Sequence, residues 1–173
     1  MLLLLACGND LRRDDGAGLI LAGRLETLLI ARGQAVERIA VQQWTPELAA
    51  EIARADVQTV VFVDTRVDSP RAAEGDQTMK VDSQGWEVQV KPVLSEAGAT
   101  ASLGHHLGAA TLLAYARLLL AGRDLPPAWL VTAPGADFAH GEGLSDDAIA
   151  SLDRALATDG PLTPLLAQLA GLV

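Results

Sequence analysis

The sequence predicts a three-layer α/β/α domain built on a mostly parallel, twisted sheet, and two observations carry that expectation. Short apolar runs of strand length alternate with longer segments of helical periodicity along the 173 residues, the pattern that parallel sheets with crossover helices produce. The first run, residues 2–6, breaks into Gly8-Asn9-Asp10-Leu11-Arg12-Arg13-Asp14-Asp15-Gly16-Ala17-Gly18 and resumes as an apolar helical segment. A strand feeding a helix through such a turn is how open α/β sheets build sites at their strand ends. There is no internal repeat and no linker long enough to divide the chain, so residues 1–173 read as one domain.

Each element has its own justification. Leu21, Leu25, Leu28 and Leu29 recur at helical spacing and Gly33 is a stop signal, which predicts a helix over about 14–32. Residues 36–43 read as a second strand. Thr45-Pro46-Glu47 opens the next helix, with Thr45 as cap, Pro46 at the first helical position and Leu48, Ile52 and Ala55 as the packing stripe. Residues 59–63 form a continuously apolar third strand that ends on Asp64, and 65–75 a charged loop broken by Pro70 and Gly75. Two short runs within 78–93, around Ser83-Gln84-Gly85, suggest a hairpin or irregular edge. The small, polar loop 95–104 delivers His105 and His106 to a helix ending near Gly122, apolar nearly all round and hence expected to be well buried. A strand over 128–133, a loop over 134–143, and a helix over 144–157 started by Ser145-Asp146-Asp147 follow. Pro161 and Pro164 leave a final short helix or tail.

Composition excludes several function classes. Half the residues are hydrophobic, enough for a core without metal or disulfide staples, while aromatics are only 3%. Leu, Ala and Val must therefore fill that core, and Trp44, Trp86 and Trp129 are too scattered for an aromatic box and read as packing residues. Thirteen basic residues against 22 acidic ones, with a net charge of −9 and no Lys/Arg cluster, leave no footprint for a nucleic-acid backbone. Cys7 is the single cysteine, read as core-facing, and it implies a reducing compartment. Leu4-Leu5-Ala6-Cys7 superficially imitates a lipoprotein signal but lacks a basic n-region and a full h-region. No segment reaches the about 18 uninterrupted apolar residues a membrane span requires. A cytoplasmic protein without membrane or nucleic-acid partners is the expectation.

Three side chains should converge if the first and third strands are neighbours: Asp15, Asp64 and His105. Each alone has a plain structural reading. Asp15 can complement a helix dipole, Asp64 can cap a turn, and His105 can bond a backbone carbonyl. Together, two carboxylates and an imidazole suit a borderline divalent ion such as nickel or zinc, with positions left open for water or substrate. The chain has neither a Gly-x-Ser-x-Gly elbow nor a His-Glu-x-x-His helix, so no nucleophile is evident. Gly16-Ala17-Gly18 at a helix start can cradle a phosphate, but Asp14 and Asp15 would repel it and no P-loop lysine follows. The Arg12-Arg13 pair and His140 read as solvated loop residues, the arginines with some capacity to steer an acidic peptide.

Gly8-Asn9, Asp14-Asp15-Gly16-Ala17-Gly18, Val63-Asp64-Thr65, His105-His106-Leu107-Gly108 and Gly141-Glu142-Gly143-Leu144-Ser145 occur in an order that resembles the hydrogenase maturation protease family, over residues 2–157. The specificity lies in the ordered set, since each piece alone is common. The resemblance implies an α/β endopeptidase of aspartic type that removes a C-terminal extension from the large-subunit precursor of nickel-iron hydrogenase after nickel insertion, thereby activating that enzyme. It places the metal-contacting positions on Asp15, Asp64 and His105, with Asp15 and Asp64 also the catalytic pair. Asn9 and His106 fall where substrate is bound, Asn9 chiefly by shaping the turn. The implied metal is nickel, presented by the substrate, with other divalent ions able to substitute. There are three departures. Ala6 stands where family members usually have Gly, Asp15 is one methylene shorter than the frequent Glu, and the doubled histidine leaves a choice that the spacing to Leu107-Gly108 resolves toward His105, with His106 the fallback. The alternatives are a non-catalytic metal- or nucleotide-binding module of the same architecture, or a family relative with another substrate.

Overall fold

In a computed structural model, residues 1–67, 86–94 and 107–171 are described. Among the described residues, five strands form one sheet: β1 (Leu2–Cys7), β2 (Val36–Val41), β3 (Thr59–Val67), β4 (Gln89–Pro92) and β5 (Ala128–Gly135), in the order β2-β1-β3-β5-β4. Pairing is parallel except for β4, which lies antiparallel on β5 at the edge. The helices are α1 (Ala17–Ala31), α2 (Leu48–Ile52), α3 (Ala109–Leu119), α4 (Asp146–Ala155) and α5 (Thr163–Ala170).

Alternation along the central strands sorts the core into two layers. Leu2, Leu4 and Ala6 of β1 and Val61 and Val63 of β3 pack with α1, α4 and α5. Leu3 and Leu5 with Val60 and Phe62 pack with α2 and α3 on the other face. The three-layer α/β/α reading is borne out. Helix α1 and helix α2 follow β1 and β2 onto opposite faces, so the strand order reverses between β1 and β3. That switch point opens a crevice at the carboxyl ends of both strands.

The structure corrects several boundaries. A 3-10 turn over Arg13–Gly16 precedes α1, which begins at Ala17 rather than near residue 14. Strand β3 continues past the apolar run to Val67, because β5 supplies hydrogen-bonding partners from Asp64↔Thr132 to Val67↔Gly135. Asp64 therefore sits inside a strand, and β5 extends two residues, to Gly135, into the stretch expected to be a loop from residue 134. Helix α2 is capped at Glu47 without a side-chain bond from Thr45, and Ala53, not the exposed Ala55, is buried. Helix α3 is buried on one face only: Leu112, Leu113 and Ala116 are covered, while Leu118 and Leu119 are 79% and 54% exposed. A helix on the outside of a sheet has one neighbour layer, and a uniformly apolar sequence does not create a second. Of the hairpin or edge expected within 78–93, only Trp86 onward is described, including β4; Ser83-Gln84-Gly85 and the loop 95–104 lie outside the described residues. The C-terminal helix expectation is met by α5.

Candidate functional site

The crevice between β1 and β3 widens into a cleft of about 910 Å³ lined by Cys7, Asp15, Trp44, Asp64, Leu107 and Leu130 among others. Side-chain alternation explains two of these: Asp64 follows Phe62 on the α2/α3 face of β3, and Cys7 follows Leu5 on the same face of β1. Asp15 arrives from the 3-10 turn between β1 and α1. The two carboxylates named as the catalytic pair therefore share one cleft, and Asp15 is near enough to Asp64 to disfavour its ionisation.

The adjacent Asp14 has a different task. It is fully buried, and both of its oxygens accept hydrogen bonds. Oδ2 accepts from the Ala136 and Asp137 N–H groups at 3.0 Å each and from Ser145 Oγ at 2.9 Å, while Oδ1 accepts from the Ser145 N–H at 2.7 Å. Ser145 Oγ in turn accepts from Ala148 N–H as the N-cap of α4. Two backbone bonds between Arg13, Leu11 and Gly141 complete the clasp. The opening motif and the late Gly141-to-Ser145 motif are thus two halves of one structural joint, a juxtaposition that their separation in sequence hides. Arg13 pairs with Asp137 at 3.0 Å and Arg12 donates to the Phe138 carbonyl, so both arginines tie down this joint. Asn9 accepts from Leu11 N–H through Oδ1 at 3.0 Å, shaping the turn. His140 is exposed.

Asp64 is held from both sides. Its Oδ1 accepts from the Thr65 N–H at 2.8 Å and its Oδ2 from the Trp44 indole N–H at 3.3 Å. Burial pushes its carboxyl above the usual range; those two donors oppose the shift and the Asp15 charge adds to it. Trp44 was not legible as a site residue, because a tryptophan one position before Thr45-Pro46 carries the same signal as any packing aromatic. Its position in a loop at the carboxyl end of the sheet was the available hint.

Cys7 is buried as expected, at 8% exposure, and it also lines the floor of the cleft. Burial, then the charges of Asp64 and Asp15, push its thiol up to about 12. Such a thiol is protonated at neutral pH and is no nucleophile. The native protein is expected to react with a thiol reagent such as iodoacetamide at pH 7.5 about 1000-fold more slowly than an unperturbed cysteine, and at the ordinary rate once unfolded. Rapid native labelling followed by mass spectrometry would contradict this environment.

The phosphate cradle of the alternative reading is closed. The Gly18 N–H donates to Thr65 Oγ1 at 2.9 Å, and Gly18 packs against the backbone of Cys7 and Asp64. His105 and His106 lie outside the described residues. Among the described residues, no three His, Cys, Asp or Glu side chains are grouped so as to hold a metal ion, and no helix is long and apolar enough to cross a membrane.

Fold and cleft together define an α/β domain of the hydrogenase maturation endopeptidase fold. The solved structure of the hydrogenase maturating endopeptidase HybD from E. coli superposes with a TM-score of 0.63 at 21% identity, covering 98% of this chain and 92% of that one. The [NiFe] hydrogenase maturation protease HycI from Thermococcus kodakarensis gives 0.55 at 21%, again with 98% and 92% covered. A hydrogenase 2 maturation peptidase from a Thaumarchaeota archaeon gives 0.51 at 21%, with 95% and 97% covered. No protein-family model and no curated protein matches the chain. The resemblance read from the motifs is borne out in the fold.

Proposed function

We propose that this protein is an aspartic-type endopeptidase that removes the C-terminal extension of a nickel-loaded [NiFe] hydrogenase large-subunit precursor. The observation that carries the reading is the meeting of Asp15 and Asp64 in one cleft at the β1/β3 switch point, in a fold shared with endopeptidases of that name. Nickel enters as cargo of the substrate. Two carboxylates are hard, anionic donors that suit a divalent ion but do not complete its coordination, and the remaining positions fall to the precursor and to His105. His105 is proposed from its motif, two residues before the cleft residue Leu107; His106 is its fallback, and Asn9 serves substrate binding through the turn it shapes.

In this reading the metal-loaded precursor is preferred, because the cation it carries gives the Asp15 and Asp64 carboxyl groups something to bind that an unloaded peptide lacks. A water attacks the scissile carbonyl, its proton passes to Asp64, and Asp64 returns a proton to the leaving amine as the C–N bond breaks. Asp64 suits that exchange because burial favours its protonated form. Asp15 orients the loaded substrate. The partner is the precursor alone, in the cytoplasm where it matures.

The test is the intact mass of a nickel-loaded, soluble precursor incubated with wild type and with Asp64→Ala. Loss of a C-terminal peptide with wild type only, at least 1000-fold faster than with the variant, is expected. An uncut precursor in the wild-type reaction, or equal cutting by both, overturns the reading.

A further inference from the structure

Trp44 belongs to none of the motifs that point to the site, yet it touches the site's central acid. Its indole ring meets Phe62 edge-on, with centroids 5.7 Å apart and planes at 82°, and its N–H reaches Asp64 Oδ2 at 3.3 Å. Phe62 is fully buried and stands two residues before Asp64 on the same face of β3. One strand therefore fixes the ring and receives its proton donor. We propose that Trp44 is a positioning residue that orients the Asp64 carboxylate for peptide-bond cleavage, an inference that rests on the function proposed above.

The reason is the number of donors a carboxylate needs to lose its freedom. The Thr65 N–H holds Oδ1 alone, and a carboxylate held at one oxygen still swings about its last bond, which is a broad torsion. A second donor on the other oxygen fixes the plane. Each oxygen keeps a second lone pair, so the bracket leaves Asp64 able to accept a proton or contact a cation. The 3.3 Å separation lies just past the usual range of about 2.7–3.2 Å for an N–H donor, which makes this the longer and weaker of the two bonds. Trp44 is well chosen as a fixed donor: two torsions describe its side chain and Phe62 restrains the ring. It also lines the cleft beside Thr45 and Pro46.

The test separates donor from ring. Trp44→Phe keeps an aromatic edge on Phe62 and loses the N–H; Trp44→Leu loses both. In processing assays on the loaded precursor, Trp44→Phe is expected to lower kcat about tenfold with KM within twofold, and Trp44→Leu to do at least as much. Wild-type kcat in Trp44→Phe, or a loss confined to Trp44→Leu, overturns the inference, because the ring's packing would then be its whole contribution. The same substrate assayed with wild type and Asp64→Ala shows whether the proposed function itself holds, so the two failures are distinct. A second readout needs no activity. In the nitrogen–proton NMR spectrum, the Trp44 indole signal, assigned by its loss in Trp44→Phe or by triple-resonance connectivity, is expected to move on Asp64→Asn while those of Trp86 and Trp129 stay. An unmoved Trp44 signal refutes the contact.

Discussion

Replacing Asp14 with Asn is expected to destabilise the protein by about 3 kcal/mol at pH 7 in urea denaturation. The substitution is nearly isosteric, so the loss is electrostatic. Asp14 accepts four hydrogen bonds, two through backbone N–H groups of residues 136 and 137 and two through Ser145. An amide has one acceptor oxygen, so whichever way it turns, its NH2 faces a donor in a site closed to water. The joint that fails links the turn after β1, the end of β5 and the start of α4, so a cooperative loss of stability follows. Burial by itself would raise the Asp14 carboxyl, and the four donors outweigh it and hold the group below the usual carboxylate range.

The sign of the pH dependence follows from that depression. A folded-state pKa below the unfolded value, about 3.9 for aspartate, gives stabilisation that is complete above the unfolded pKa and is lost as pH falls through the folded pKa. The gap between wild type and Asp14→Asn is therefore expected to be constant from pH 7 to about 5, and to close as pH drops below about 4. A gap under about 1 kcal/mol at pH 7 would contradict the account of this joint.

Gly18→Ala is expected to lose about 2 kcal/mol and to lower processing about 100-fold, where alanine in a helix ordinarily gains stability over glycine. A Cβ on Gly18 would stand 2.8 Å from the Cys7 carbonyl oxygen, 3.0 Å from the Asp64 carbonyl carbon and 3.1 Å from Asp64 Cα. All three are backbone atoms and cannot rotate aside. Relief requires α1 to lift from the sheet, which draws the turn carrying Asp15 away from Asp64 and breaks the Gly18 N–H bond to Thr65. At Gly23, in the same helix, an added Cβ would meet nothing within 4 Å, and Gly23→Ala is expected to gain about 0.5–1 kcal/mol. The opposite signs of two identical substitutions, measured by the same denaturation curves, separate close approach from helix propensity. Equal signs would mean that α1 leaves room for a methyl group between Gly18 and the sheet.

The strands, the helices that cover them and the likeness of fold were legible from local signals alone. Apolar runs such as residues 59–63 and helical spacing such as Leu21, Leu25 and Leu29 express burial, and burial is written residue by residue. Asp15 and Asp64 were legible as a pair because strand ends gather at one edge of a parallel sheet whatever the details of its packing. Asp15 was singled out in the sequence as well; tertiary structure alone decided that its neighbour Asp14 is buried in the Ser145 joint. It also decided that Asp64 lies within β3 and not at its end, that Cys7 opens onto the cleft, and that Trp44 brackets Asp64. These depend on pairings between residues 20 to 131 positions apart. Hydrogen-bond ladders and backbone contacts at that range leave no periodicity in the chain, whereas burial does.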